Sequence, residues 1–142
     1  MPFNLVLIFW FLTPMVESSP TSFIIVASEK SALDSITEFQ LRNLYLGKLE
    51  SIKSNPCLPA GVAKRLPENQ QFITWLFGSS FNWGNYWAEQ SVRGMRHEPI
   101  PLGSFALLLA FLERNHDYVG YLPSSLKDEL KNFDVKSIKI NR

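Results

Sequence analysis

Two adjoining stretches, Ser22-Phe-Ile-Ile-Val-Ala-Ser28 and Ile36-Thr-Glu-Phe-Gln-Leu-Arg-Asn-Leu-Tyr-Leu-Gly-Lys48, constrain the fold more than anything else in the chain. The first is a β-branched apolar run of strand length. The second carries the signals of a helix at both ends. Thr37 and Gln40 stand in the capping-box relation, where a hydroxyl and an amide satisfy backbone N–H groups left unpaired by the first turn. Ile36 before the cap and Leu41 after it are spaced as a hydrophobic staple. Leu41, Leu44 and Tyr45 recur at helical spacing, Gly47 supplies the left-handed residue that ends such a helix, and Lys48 lies by the negative end of its dipole. A strand followed by a well-capped helix is the opening of an α/β protein.

The alternation continues. CLPAGVAKRL holds a short extended piece that leads to Pro67, and Pro67-Glu68-Asn69 opens a second helix with apolar face Phe72, Ile73, Leu76 and Phe77, closed by Gly78. A third helix, FNWGNYWAEQSV, puts Trp83, Tyr86 and Trp87 on one side. The fourth, SFALLLAFLERN, starts at a Ser104 cap and is apolar almost all round, which predicts burial. DYVGYLP and VKSIKI then read as strands, and VRGMRHEPIPLG as the longest loop. Strands separated by such helices favour a mostly parallel sheet covered on both faces.

With 142 residues the chain suffices for one domain with a real core. A net charge of +1 and the lack of a long basic run give no support to nucleic-acid binding through many phosphate contacts. Residues 1–18 differ in kind: LVLIFWFL, Leu5 to Leu12, is too short to span a bilayer and is followed by Val16-Glu17-Ser18, which fits the small-residue pattern before a signal-peptidase cut. This predicts a signal peptide over 1–18, a mature domain over 19–142, and a periplasmic or secreted location. Because no Lys or Arg precedes the run, a buried first strand of a cytosolic protein is the competing reading.

No constellation of residues points to catalysis. Cys57 lies between Pro56 and Pro59, far in sequence from both histidines, and reads as a packed thiol. Neither His97 nor His116 has a carboxylate or histidine companion arranged as a ligand pair, so neither a metal nor a cofactor is expected. PLGSF and LFGSSF lack the spaced glycines of a phosphate loop. Arg93, Arg96 and His97 decorate a loop that is either simply solvated or an interaction surface.

The order of elements, with LRNLYLGK, then NYW, then an Arg-Gly loop running into Pro, then DYVGYLP, resembles the short phosphate-ABC-transporter substrate-binding-like family. The matching positions are Leu41, Leu44, Leu46, Gly47 and Lys48, then Tyr86 and Trp87, then Gly94, and last Val119, Gly120 and Tyr121. The resemblance implies a single three-layer periplasmic-binding-protein-like lobe, with a mostly parallel or mixed sheet and about four flanking helices. It also implies a non-enzymatic solute-binding role toward phosphate or a related oxyanion, in transport or sensing beside a membrane transporter or receptor component. The ligand residues it points to are Ser28 and Ser31 after the first strand and Arg65 and Asn69 around the start of the second helix. Full-length relatives follow their Arg with a Gly-Ser-Gly-Thr turn. Here the stretch is Arg65-Leu66-Pro67-Glu68-Asn69-Gln70, in which Pro67 removes a donor and Glu68 places a carboxylate at the helix start. The alternative is a degenerate relative that serves as a protein interaction module, through the aromatic and basic surface around Trp83 and Arg93 to Arg96.

Overall fold

In the computed structural model, which describes residues 21–94 and 98–142, the elements follow the expected order. They are β1 (Phe23–Ser28), β2 (Ser35–Thr37), α1 (Glu38–Tyr45), β3 (Ser51–Ile52), β4 (Asn55–Pro56), β5 (Leu58–Val62), α2 (Pro67–Phe77) and α3 (Trp83–Val92). After these come β6 (Ile100–Leu102), α4 (Phe105–Arg114), β7 (Tyr118–Pro123), a 3-10 helix (Ser124–Asn132) and β8 (Val135–Asn141). The predicted leader over 1–18, its cleavage near Ser19, and Arg96 and His97 lie outside the described residues.

Six strands form one sheet in the order β2-β8-β1-β7-β5-β6. Every neighbouring pair is parallel except the two that involve β1, which runs antiparallel to both β7 and β8. The sheet is therefore mixed, with five strands pointing one way and β1 the other.

Side chains alternate across β7 and so define the layers. On one face Tyr118 meets Phe111 edge-on, and a Cβ added to Gly120 would lie 2.9 Å from Leu112 and 3.1 Å from Leu108, so α4 rests directly on the strand backbone. On the other face Tyr121 stacks on Phe72 of α2 at 3.7 Å between ring centroids, with Phe23 and Tyr45 beside them. The helices α1 and α2 thus cover one face and α4 the other, which makes a three-layer α/β lobe.

The capping signals at the two ends of α1 are realised. Thr37 Oγ1 accepts from the Gln40 N–H at 3.0 Å while Gln40 Oε1 accepts from the Thr37 N–H at 2.9 Å. Gly47 has φ 73°, and the Lys48 and Gly47 N–H groups return to the Asn43 and Leu44 carbonyls, the paired bonds of a Schellman ending.

Two expectations change, and one hairpin was not anticipated. The stretch read as the longest loop ends in a strand, β6, which Pro99 and Pro101 disguise; proline is tolerated there because β6 is an edge strand. The helix α4 is not buried all round: Leu108, Leu109 and Leu112 face the sheet, whereas Leu107 is 56% exposed, because α4 is an outer layer with one sheet to cover. The β3–β4 hairpin had no sequence signal, since its turn residues Lys53 and Ser54 adopt φ 50° and 68° without a Gly or Asn between them. Left-handed backbone costs a side chain roughly 1–2 kcal/mol, part of which glycine returns as chain entropy. Ser54→Gly is therefore expected to stabilise the protein by about 0.5–1 kcal/mol, read as a higher urea midpoint at unchanged slope.

Candidate functional site

Two strand-to-helix turns lie side by side at the carboxyl ends of β5 and β6. After Val62 the chain turns sharply, with the Ala63 N–H on the Leu102 carbonyl at 2.8 Å and the Leu66 N–H on the Ala63 carbonyl at 3.0 Å. The helix α2 then starts at Pro67, whose missing N–H is no loss in a first turn, and its N-cap, Leu66, supplies no side-chain acceptor. The neighbouring turn is closed differently: Ser104 caps α4, its Oγ accepting from the Leu107 N–H at 3.1 Å. Arg65 clasps the two turns, its Nη2 donating to the Gly103 carbonyl at 3.0 Å. Glu68 is the one acidic residue in the first turn of α2.

Asn69 turns back from α2 toward the strand end. Its Nδ2 donates to the Val62 carbonyl at 3.1 Å and to the Tyr121 hydroxyl at 3.4 Å, while that hydroxyl also accepts from the Val62 N–H at 3.2 Å. Burial raises the Tyr121 phenol above its ordinary pKa, the Val62 and Asn69 hydrogen bonds oppose the rise, and the charge on Glu68 adds to it. Tyr121 is thus a neutral phenol at physiological pH, and among the described residues no hydrogen bond uses its own proton. Gly61 makes this arrangement possible, because a Cβ there would sit 2.9 Å from the Tyr121 ring and oxygen.

Beside these groups a cavity of about 840 Å³ opens. Its floor is the buried set Tyr45, Gly61, Phe72, Ile73, Trp83 and Tyr121, and its exposed rim includes Lys64, Ser91 and Glu98. Lys64 Nζ and the Glu98 carboxylate pair at 3.0 Å, and the Tyr45 hydroxyl is already given to the Ala60 carbonyl at 2.7 Å.

The four residues expected to share a ligand do not come together. Arg65 and Asn69 lie at the carboxyl ends of the parallel strands. Because β1 runs the opposite way, its last residue, Ser28, lies level with the starts of β7 and β8 at the far end of the sheet. Ser28 is 1% exposed and its Oγ accepts from the Lys30 N–H, while Ser31 Oγ accepts from the Leu33 N–H; both hydroxyls close the local turn. Strand direction is a tertiary property that no residue in β1 announces. Trp83, expected on an interaction surface, is instead buried among Phe77, Phe81, Tyr86 and Trp87, and Arg93 is paired with Glu89 at 2.8 Å. Cys57 is buried, and that burial pushes its thiol up to about 11.

Sequence reasoning missed the cavity and, with it, Gly61, Lys64, Glu98 and the role of Tyr121. The one local hint was an aromatic with a polar tip in the otherwise apolar run YVGYLP.

No family model and no curated protein matches the sequence. Solved structures match it in fold. PstS from Borrelia burgdorferi superposes with a TM-score of 0.67 at 13% identity, over 85% of this chain and 47% of its own. A phosphate ABC transporter substrate-binding protein from Clostridium perfringens with bound phosphate gives a TM-score of 0.63 at 13% identity, over 84% and 45%. An ABC-type phosphate transport receptor from Vibrio cholerae gives 0.56 at 14% identity, over 84% and 46%. The fold is therefore that of a single α/β lobe of the periplasmic-binding-protein kind. The likeness is one of fold, and the chain spans less than half the length of each of these structures. None of the described helices is long and apolar enough to cross a membrane.

Proposed function

We propose that this chain is a solute-binding lobe that acts outside the cytoplasm and holds phosphate or a related oxyanion weakly, as an accessory to transport or sensing with a membrane component. One observation carries the reading: the uncapped start of α2 opens at the carboxyl end of β5, and Arg65, two residues ahead of Pro67, reaches with its guanidinium to the Gly103 carbonyl of the neighbouring turn. A helix start offers unpaired N–H groups and a partial positive charge to an anion, and an Arg adds charge-assisted hydrogen bonds. The bound phosphate of the Clostridium perfringens protein, on the same fold, supports the choice of ligand. In this reading Arg65 and the start of α2 meet the anion; Asn69 stands in that first turn with its Nδ2 already donated to Val62 and Tyr121, and Ser28 and Ser31 take no part. Weak binding follows from Glu68, whose carboxylate already complements the dipole and repels the same ligand.

Calorimetric titration with phosphate at low ionic strength tests this. Arg65→Ala should cost about 1.5–3 kcal/mol of binding free energy, the range for a hydrogen bond to a charged group. Glu68→Gln should tighten binding by about 0.3–1 kcal/mol, the dipole-scale contribution of one charge. A titration in which the wild type binds phosphate and neither substitution alters it would place the anion elsewhere.

A further inference from the structure

The cavity beside Tyr121 is a poor fit for a bare anion. At about 840 Å³ it lies within the size range of small-molecule pockets and far exceeds one phosphate ion. Its floor is mainly ring and aliphatic surface from Phe72, Ile73 and Trp83. The charges near it cancel or are negative: Lys64 at the rim is held by Glu98, Arg65 is turned to Gly103, and the field of Glu68 reaches the Tyr121 hydroxyl. What the floor retains is neutral hydrogen-bonding capacity. The Tyr121 phenol keeps a proton to donate, and the Asn69 side chain, both of whose described bonds use Nδ2, keeps its carbonyl oxygen as an acceptor.

We infer that this cavity is a second ligand site, independent of the oxyanion reading, for an uncharged molecule with a flat apolar body and one hydroxyl or amide end. The body lies against Trp83, Phe72 and Ile73, where leaving water supplies the affinity. The polar end meets Tyr121 and Asn69, where an unsatisfied donor and acceptor set the orientation.

The probe is 2-naphthol, with naphthalene and inorganic phosphate for comparison, titrated into the full chain by calorimetry and heteronuclear NMR. Saturable one-to-one binding with a Kd of about 1 mM or tighter is expected, given what a ligand of this size can gain per atom. Phosphate should not compete, and naphthalene should bind several-fold more weakly. Tyr121→Phe should erase that preference for naphthol. Ser91→Trp, at the exposed rim, should weaken naphthol binding at least tenfold without moving the melting temperature. Should that variant fail to fold, intermolecular Overhauser contacts between the naphthol ring and the Ile73 methyls of the wild type decide the matter. No saturable binding, competition by phosphate, binding insensitive to Ser91→Trp in a folded variant, or saturation without Ile73 contacts would each overturn the inference. Because the phosphate site is tested through Arg65 and Glu68, neither of which lines the cavity, the two readings fail separately.

Discussion

Phe72→Ala is expected to lower the free energy of unfolding by about 3–5 kcal/mol, the cost of removing a buried aromatic from a core that cannot fully collapse. Phe72 is fully buried on α2 and is the ring through which that helix is locked to the sheet. It stacks on Tyr121 with an interplanar angle of 9°, meets Phe23 edge-on at 5.4 Å and Tyr45 at 4.9 Å, and lies 5.8 Å from Trp75. Such ring pairs contribute about 0.5–1.5 kcal/mol each beyond area burial, so the loss belongs at the upper end of the range. Urea denaturation followed by near-ultraviolet circular dichroism reads both the midpoint and the loss of aromatic order. A midpoint shift worth less than about 1 kcal/mol would mean that α2 is not anchored through this ring.

Leu108→Ala should cost about 2–5 kcal/mol for a related reason on the opposite face. Leu108 is fully buried and, with Leu112, fills the space over Gly120, where the absent side chain lets α4 sit directly on β7. Truncation opens a void that the strand backbone cannot move to fill. The neighbouring Leu107→Ala is the internal control: 56% exposed, it should change stability by less than about 0.5 kcal/mol. Equal effects at 107 and 108 would contradict the placement of α4 as an outer layer.

The contrast between these leucines shows where local reading ends. A helix with apolar residues all round gives no periodic signal for which side meets the sheet, and SFALLLAFLERN is such a helix. Its start was legible, because Ser104 caps by contact with a residue three positions away. The same holds for α1, with its capping box and Gly47, for α2, opened by Pro67 and closed by Gly78, and for β1, β5, β7 and β8. Each of these signals acts over a few residues and survives in the bare sequence. The short strands did not, because β6 carries prolines and the β3–β4 turn lacks its preferred residues.

The candidate site divides along the same line. The placement of Arg65 and Asn69 at a helix start was legible because the signals that open α2 are local. Ser28 and Ser31 appeared to belong with them only while β1 was taken to run with the other strands, and its direction is set by pairing with β7 and β8, almost a hundred residues later. The cavity depends on the meeting of Gly61, Asn69, Trp83 and Tyr121 from four separate elements, so no window of sequence contains it. By itself, then, the amino-acid sequence determined the longer elements, their caps and the α/β class, since those rest on local backbone hydrogen bonding and side-chain period. Only the tertiary structure decided strand direction, which leucine faces the core and which polar groups share a pocket, because those follow from long-range packing on a sheet whose neighbours are distant in the chain.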